Sequence, residues 1–242
     1  MPRRERCILP GVPCHATQRG VDRRLTFADD TGRRTCLTLL RGNLHDAGAS
    51  LLGWCLMTKH VHLILLPDRE DSLAILLRRV HGRFAQYFNA RHGRTGHLWQ
   101  NRFFSCPLSA AHVSTELRYV EMNPVRVGLA ARAWEWSSTR AHVGAGRRDE
   151  VLDPRWAVDF LHPWHYDEWA EILAAGSEGA ESEALRRATR TAEPLGAEEF
   201  VMALERQTGR KLRVLARGRP RKIVEVDKHS ERQAELFATA AG

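Results

Sequence analysis

Two histidines, His60 and His62, stand one residue apart in the otherwise apolar stretch GWCLMTKHVHLILLP, which spans 53–67. In a β-strand, side chains two residues apart point to the same face, so both imidazoles would lie side by side while Val61 faces the opposite layer. Neutral imidazoles are common ligands of divalent cations. The pair therefore fits one half of a metal site. The alternative is that one histidine is a surface residue at the start of a strand.

A second candidate pair lies in LRYVEMNPVRVG, which spans 117–128. Tyr119 and Asn123 are four residues apart in a segment that favours a helix ending before Pro124, so both would share one helix face. Asn123 offers a carbonyl oxygen to a metal. Tyr119 offers a phenol, which is a competent nucleophile once deprotonated and also a good leaving group. The alternative is that Tyr119 packs in the core and Asn123 caps the helix.

The elements that must position these residues follow from hydrophobic spacing and turn residues. They are a strand at 13–20, a helix at 29–48, a hairpin of 49–57 and 60–67, a helix at 71–93, an extended segment at 97–108 and a helix at 109–124. This order predicts an α+β fold with a ferredoxin-like antiparallel sheet, helices packed on it, and the histidine pair on a sheet strand. A shift in composition near residue 145 predicts a domain at 1–145. Residues 146–242 would form a linker and a mostly helical, charged extension with a basic tail.

Charge and cysteine content indicate the class of binding partner and the cellular compartment. The net charge of +8 and the isoelectric point near 9.8 favour a polyanionic partner, with nucleic acid ahead of a membrane surface. The five cysteines form no CxxC pair, which is typical of a reducing compartment. The N-terminal residues lack the apolar stretch of a signal peptide, and no apolar run is long enough to span a bilayer. We expect a cytoplasmic protein that does not enter membranes.

Several basic and aromatic residues are candidates for DNA contact. Arg83 lies among aromatic residues in the predicted helix 71–93, a mixture that suits single-stranded nucleic acid. Trp99 and Arg102 lie in LWQNRF, and Arg126 follows Asn123 closely. The basic segment RGRPRK contributes Arg217, Arg219, Arg221 and Lys222 and resembles an AT-hook suited to a narrow minor groove. The alternatives are core packing for Trp99 and a solvated basic tail for the last four.

Three segments together resemble a known family. The tripeptide His60-Val61-His62, GHLWQNRFFS at 96–105 and YVEMNPVRVGL at 119–129 are similar to the single-tyrosine HUH transposases, above all to the REP-associated tyrosine transposases. The resemblance covers about residues 8–145. It implies that His60 and His62 hold a divalent cation, Mg²⁺ or Mn²⁺, that Tyr119 is the catalytic nucleophile, and that Asn123 is the third metal ligand.

The resemblance also implies a reaction and a partner. The enzyme would cleave and transfer single-stranded hairpin DNA, such as repeated extragenic palindromes, through a 5′-phosphotyrosine intermediate. It would act as a monomer or a homodimer. Two other functions stay open at this point. One is a non-catalytic DNA-binding regulator derived from a transposase, and the other is a metal hydrolase that uses the histidines without covalent catalysis.

Overall fold

The computed structural model describes residues 5–145, 149–153, 166–175 and 179–213. Its strands are β1 (Cys14–Arg19), β2 (Ala49–Leu56), β3 (His60–Pro67) and β4 (Phe104–Pro107). Its helices are α1 (Asp30–Ala47), α2 (Ser72–Arg91), α3 (Ala110–Glu121), α4 (Thr139–His142), α5 (Tyr166–Ala174), α6 (Gly179–Thr191) and α7 (Glu198–Thr208). The predicted succession of strand, helix, hairpin, helix, strand and helix is confirmed up to α3.

The four strands form one antiparallel sheet in the order β2-β3-β1-β4. Together with α1 and α2 as crossover helices, this order is the ferredoxin-like arrangement that the sequence predicts. The central pair β1–β3 sets Thr17 opposite His62 and Arg19 opposite His60. Directly opposed residues share a sheet face, so this register places β1 side chains beside the histidine pair.

Helix α1 illustrates how local sequence sets the element boundaries. The carboxylate of Asp29 accepts a hydrogen bond from the Gly32 backbone nitrogen at 2.8 Å, which satisfies a free donor of the first turn. The helix ends at Gly48, whose φ of 63° lies in the left-handed region that glycine adopts without strain. Strand β2 follows at once, so this turn fixes where the hairpin begins.

Helix α3 packs closely on the sheet above Gly53 of β2. A Cβ atom at this position would meet the Leu117 Cδ2 atom of α3 at 2.3 Å. Gly53 pairs with Ile64 of β3, which lies on the same face as His60 and His62. The missing side chain therefore lets α3 approach the face of the sheet that carries the histidines.

Two of the described helices after residue 145, α5 and α6, pack on α3 or the sheet. Helix α6 lies against β1, β4 and α3, and its Leu185 and Ala188 join the same hydrophobic core. The indole nitrogen of the buried Trp169, on α5, donates a hydrogen bond to Glu121 Oε2 at 2.9 Å. The boundary at 145 stays a prediction. None of the described helices is long and apolar enough to cross a membrane.

Candidate active site

His60 and His62 lie at the start of β3, with their ring centroids 4.8 Å apart and the ring planes at 81°. They line a cavity of about 520 Å³ together with Tyr119 and Asn123. The ring of Tyr119 meets that of His62 edge-on, with the centroids 6.0 Å apart. The structure thus brings together, in one cavity, the four residues for which the sequence predicts chemistry.

A third histidine, His15, is hydrogen-bonded to His62 of the pair. The Nε2 atom of His15, on β1, lies 2.8 Å from His62 Nδ1. On its other side, His15 Nδ1 lies 2.6 Å from Glu116 Oε1 and 3.1 Å from Thr189 Oγ1. His15 and Glu116 have no exposed surface. These contacts form a buried chain from a carboxylate through one imidazole to the next.

The hydrogen bonds that link His62, His15 and Thr189 indicate which ring nitrogen of each histidine carries the proton. The Thr189 hydroxyl donates to the Leu185 carbonyl oxygen at 2.9 Å, so toward His15 it accepts. In a neutral His15 ring, Nδ1 therefore carries the proton and Nε2 is an acceptor. His62 Nδ1 must then donate to it, which leaves the lone pair of His62 on Nε2. A histidine held in this way by an outer hydrogen bond is typical of metal ligands.

Both histidines of the pair are held in the uncharged form. Burial, followed by the nearby Arg19 and His15, lowers the pKa of His60 to about 4. Burial, followed by the neighbouring His60 and His15, lowers the pKa of His62 well below its ordinary value. Neutral imidazole is the form that binds a metal, so both rings are ready as ligands near pH 7.

Tyr119 lies near the end of α3 and is only 6% exposed. The guanidinium carbon of Arg126 lies 4.2 Å from the centroid of its ring, and Arg126 Nη1 donates to the Tyr119 carbonyl oxygen at 2.8 Å. Arg186 of α6 lines the same cavity, and its Nη1 atom donates to Glu183 Oε2 at 3.5 Å. Burial raises the pKa of Tyr119 above its ordinary value, and the two arginines offset part of that increase.

Asn123 lies in the turn after α3, because the helix ends at Glu121 rather than continuing to Pro124. Its Nδ2 atom donates to the carbonyl oxygens of Tyr119 at 3.0 Å and Val120 at 3.1 Å. The side chain therefore caps the helix and lines the cavity at the same time. With the amide nitrogen used in this way, the amide oxygen is the atom left to bind a metal.

The donor set suits a hard or borderline divalent cation. In residues 5–145, 149–153, 166–175 and 179–213, no group of three or more His, Cys, Asp and Glu side chains is placed to hold a metal. The Asn123 oxygen lines the cavity beside the two imidazoles and is a candidate third ligand of another type. Two nitrogens, one amide oxygen and an open cavity fit Mg²⁺ or Mn²⁺, which keep positions for water and phosphate.

The predicted DNA-binding residues are not gathered at this cavity. Arg126 lines it, whereas Arg83 and Arg102 are exposed elsewhere on the surface. Trp99 is partly buried against Phe27 and Phe84, and its indole nitrogen donates to the His81 carbonyl oxygen at 2.9 Å. Trp99 is therefore packed in the core, which is the alternative to DNA contact given for it above. A contact of Trp99 with DNA stays a prediction. Arg217, Arg219, Arg221 and Lys222 lie outside the described residues.

Four residues at the site were not singled out from the sequence: His15, Glu116, Thr189 and Arg186. His15 had a usable signal, because alternation along β1 puts it on the face of Thr17, which pairs with His62. Glu116 lies on the helix that carries Tyr119. No local pattern marks the two residues of α6, whose place depends on how a distant segment packs.

The chain is similar to known transposases. Residues 12–123 match the family model described as "Transposase IS200 like". A solved structure of a REP-associated tyrosine transposase bound to a REP hairpin is 20% identical, with a TM-score of 0.51, and the match covers 63% of this chain and 92% of that one. A crystal structure of a putative transposase from Deinococcus radiodurans R1 is 17% identical, with a TM-score of 0.35, and covers 50% and 96%. None of the curated proteins matches the chain.

Proposed function

Because residues 12–123 match the model of the IS200-like transposase family, we propose that this protein cleaves and rejoins single-stranded hairpin DNA through a covalent bond to Tyr119. One observation carries the proposal. Tyr119, the neutral pair His60 and His62, and the amide of Asn123 face one cavity from two segments of the chain, β3 and the end of α3 with its following turn. A nucleophile beside a candidate metal site is the arrangement that phosphodiester cleavage requires.

The chemistry of the step follows from these groups. The phenol oxygen of Tyr119 gives up its proton to solvent and attacks the scissile phosphorus. The bond from phosphorus to the 3′ oxygen breaks, and that oxygen takes a proton to become a free 3′-OH. The other DNA end stays attached to Tyr119 as a 5′-phosphotyrosine. Attack by a 3′-OH then reverses the bond change without ATP, because the phosphotyrosine keeps the energy of the phosphodiester.

His60, His62 and Asn123 would hold the divalent cation. When bound, Mg²⁺ or Mn²⁺ would act as a Lewis acid on the scissile phosphate. The residues of the chain do the rest: His15 and Glu116 fix the orientation of His62, and Arg126 places a positive charge beside Tyr119.

The choice of hairpin DNA as substrate has two supports. The net charge of +8 favours a phosphate backbone as partner, and the REP-associated relative is bound to a REP hairpin. The exposed Arg83 and Arg102 and the cavity residue Arg126 are proposed phosphate contacts, and Trp99 is a proposed base contact. Since the histidine pair and Tyr119 of one chain already share a cavity, the geometry favours cleavage by a monomer over exchange of tyrosines in a homodimer.

A covalent trapping assay tests the proposal. The full chain is incubated with single-stranded hairpin oligonucleotides and Mn²⁺ or Mg²⁺, and the products are separated on a denaturing gel. We expect a metal-dependent protein–DNA adduct that Tyr119→Phe abolishes. Tyr87→Phe is the matched control, because Tyr87 lies on α2 away from the cavity and should leave the adduct unchanged.

The other outcomes identify the competing functions. Cleavage that survives in Tyr119→Phe would indicate a metal hydrolase without covalent catalysis. Tight binding of hairpins with neither cleavage nor adduct would indicate a DNA-binding regulator. Either result overturns the proposal.

A further inference from the structure

Three arginines line the active-site cavity, and they differ in what holds their side chains. Arg126 Nη1 donates to the Tyr119 carbonyl oxygen at 2.8 Å. Arg186 Nη1 donates to Glu183 Oε2 at 3.5 Å. Within the part of the chain that the structure describes, no hydrogen bond or ion pair holds the guanidinium group of Arg19. Because arginine keeps its charge and its five donors at ordinary pH, Arg19 is available to bind an anion.

Arg19 is the last residue of β1 and lies directly opposite His60 in the register of β1 and β3. Side chains alternate along a strand, so Arg19 shares the face of Thr17 and His15, and all three line the cavity. Opposed residues of an antiparallel pair have Cβ atoms about 5 Å apart. The side chain of Arg19 therefore starts beside the candidate metal ligand His60.

Exposure to solvent rises along this face of the sheet. On β1, His15 is fully buried, Thr17 is half-buried and Arg19 is exposed. On β3, His62 is buried and His60 is half-buried. The cavity thus opens to solvent at the end of the strand pair that carries Arg19 and His60. A DNA strand that places its scissile phosphate at the histidines can leave the cavity across Arg19.

The backbone around Arg19 is held from both sides. The Gln100 backbone nitrogen donates to the Arg19 carbonyl oxygen at 2.9 Å, and the Gly20 nitrogen donates to the Lys59 carbonyl oxygen at 3.0 Å. The chain also packs closely on itself at Gly20, where a Cβ atom would meet Thr26 Oγ1 at 2.3 Å. The side chain of Arg19 therefore extends from a fixed point at the end of the strand, which suits a positioning contact.

We propose that Arg19 binds the DNA backbone phosphate next to the scissile phosphate and so positions the strand at the candidate metal site. The inference rests on the proposed function. The neighbouring phosphate fits better than the scissile one, because the scissile phosphate must lie between the histidines and the buried Tyr119, whereas Arg19 lies at the exposed end of the cavity. The planar guanidinium group can donate to two phosphate oxygens at once.

Binding of hairpin DNA to the full chain tests the inference. A fluorescent hairpin oligonucleotide with single-stranded flanks is titrated without divalent cation, so that no cleavage occurs, at several salt concentrations. In Arg19→Gln we expect Kd to rise about 10-fold, as when one hydrogen bond to a charged group is lost. The slope of log Kd against log salt concentration should become shallower by about 0.7 to 0.9, as for one lost phosphate contact. Arg19→Lys keeps the charge and should recover part of both losses.

Neutral methylphosphonate groups in the DNA locate the contact. Once covalent trapping has identified the cleaved bond, the phosphates on its two sides are replaced one at a time. We expect one of the two replacements to weaken binding to the native chain about 10-fold. The same replacement should have no further effect in Arg19→Gln, because two changes that remove one contact are not additive.

Arg34→Gln is the matched control. Arg34 is exposed on α1, a helix that packs against α2 and β2 and contributes no residue to the described lining of the cavity. Its Kd should stay within about twofold of the native value, and its response to methylphosphonate should be native. Thermal unfolding checks that each variant keeps the fold. This is expected for Arg19, whose side chain is exposed.

The results separate the inference from the function on which it rests. A native chain that forms no Tyr119-dependent adduct overturns the proposed function, and the inference with it. If the native chain forms the adduct, equal affinities and salt slopes in Arg19→Gln and Arg34→Gln overturn the inference alone. A response to methylphosphonate that is the same in Arg19→Gln and the native chain does so too. A loss confined to the rate of adduct formation at saturating DNA also overturns it, because Arg19 would then act on the reacting atoms.

Discussion

The Nε2 atom of His15 lies 2.8 Å from the Nδ1 atom of His62, and this contact decides which nitrogen of His62 faces the cavity. In the neutral His15 ring, Nδ1 donates toward Glu116 and Thr189, and Nε2 accepts from His62 Nδ1. The free lone pair of His62 is therefore on its Nε2 atom. The ring is thereby oriented and in the right tautomer before any ligand arrives.

Replacing His15 should weaken metal binding, although His15 is not one of the proposed metal ligands. In His15→Gln the ring of His62 loses its fixed orientation, and we expect the affinity for Mn²⁺ to fall about 10- to 100-fold, the usual cost of losing such an outer partner. Electron paramagnetic resonance of free Mn²⁺ during titration measures the affinity. His45→Gln is the control, because the His45 side chain is fully exposed. Equal affinities in the two variants would contradict a positioning role.

Asn123 should contribute separately to metal binding and to helix stability. Asn123→Ala removes both the amide oxygen and the hydrogen bonds to the Tyr119 and Val120 carbonyls. We expect weaker Mn²⁺ binding and a loss of about 1 kcal/mol in the free energy of unfolding. Asn123→Asp keeps an oxygen and should retain metal binding while losing stability. Calorimetric titration and urea unfolding measure the two quantities, and intact metal affinity in the alanine variant would exclude Asn123 as a ligand.

Gly53 should be intolerant of even one methyl group. Its Cβ would meet Leu117 Cδ2 at 2.3 Å, so Gly53→Ala must displace the buried Leu117 side chain or the helix α3 that carries it. We expect a loss of about 1–3 kcal/mol in the free energy of unfolding and slower adduct formation, because Tyr119 moves with the helix. Gly42→Ala is the control: Gly42 lies inside α1 with nothing near its Cβ position, so the same change should stabilise the protein slightly. Equal effects of the two changes would contradict the close approach.

Buried His81 should make the fold sensitive to mild acid. Burial lowers the pKa of His81 to about 3, against about 6.5 in the unfolded chain. Between these values the unfolded chain binds a proton that the folded chain does not. The free energy of unfolding should therefore fall, as the pH decreases below about 6.5, by about 1.4 kcal/mol per pH unit from this group.

Replacing His81 should reduce the pH dependence of the free energy of unfolding. In His81→Asn an amide nitrogen can still donate to Gln18 Oε1, the present partner of the imidazole. Urea unfolding at about pH 7.5 and about pH 5.5 should show a difference smaller than in the native chain by about 1.4 kcal/mol. In His45→Asn, where the replaced ring is exposed, the native difference should remain. A His81→Asn variant as acid-sensitive as the native chain would show that His81 is not the group responsible.

The sheet and its helices could be predicted because their signals are local. The strands at 49–56 and 60–67, joined by a short turn, and the capped helix at 30–47 follow from alternation, helical spacing and an Asp and a Gly at the two ends. The histidine pair follows from its own spacing on β3, and Tyr119 and Asn123 from theirs near the end of α3.

The remaining parts of the site depend on contacts between distant segments. His15 joins the site through the register of β1 against β3, and that register is set by the whole sheet. Arg186 and Thr189 join it through the packing of α6 on β1, β4 and α3. The sequence of an amphipathic charged helix predicts the helix and its apolar face, but not the surface against which that face packs. The helix end was missed by two residues, because α3 stops at Glu121 while the amide of Asn123 caps it.

The position of α6 also bears on when the cavity is completed during synthesis of the chain. The sheet, the histidine pair and Tyr119 leave the ribosome first, and N-terminal segments of a chain fold first. Arg186 and Thr189 follow more than 60 residues later. A nascent chain that has already paired its strands therefore lacks the two α6 side chains that line the cavity, one of which is the Thr189 hydroxyl beside His15. The wall of the cavity is complete only once the later segment has docked.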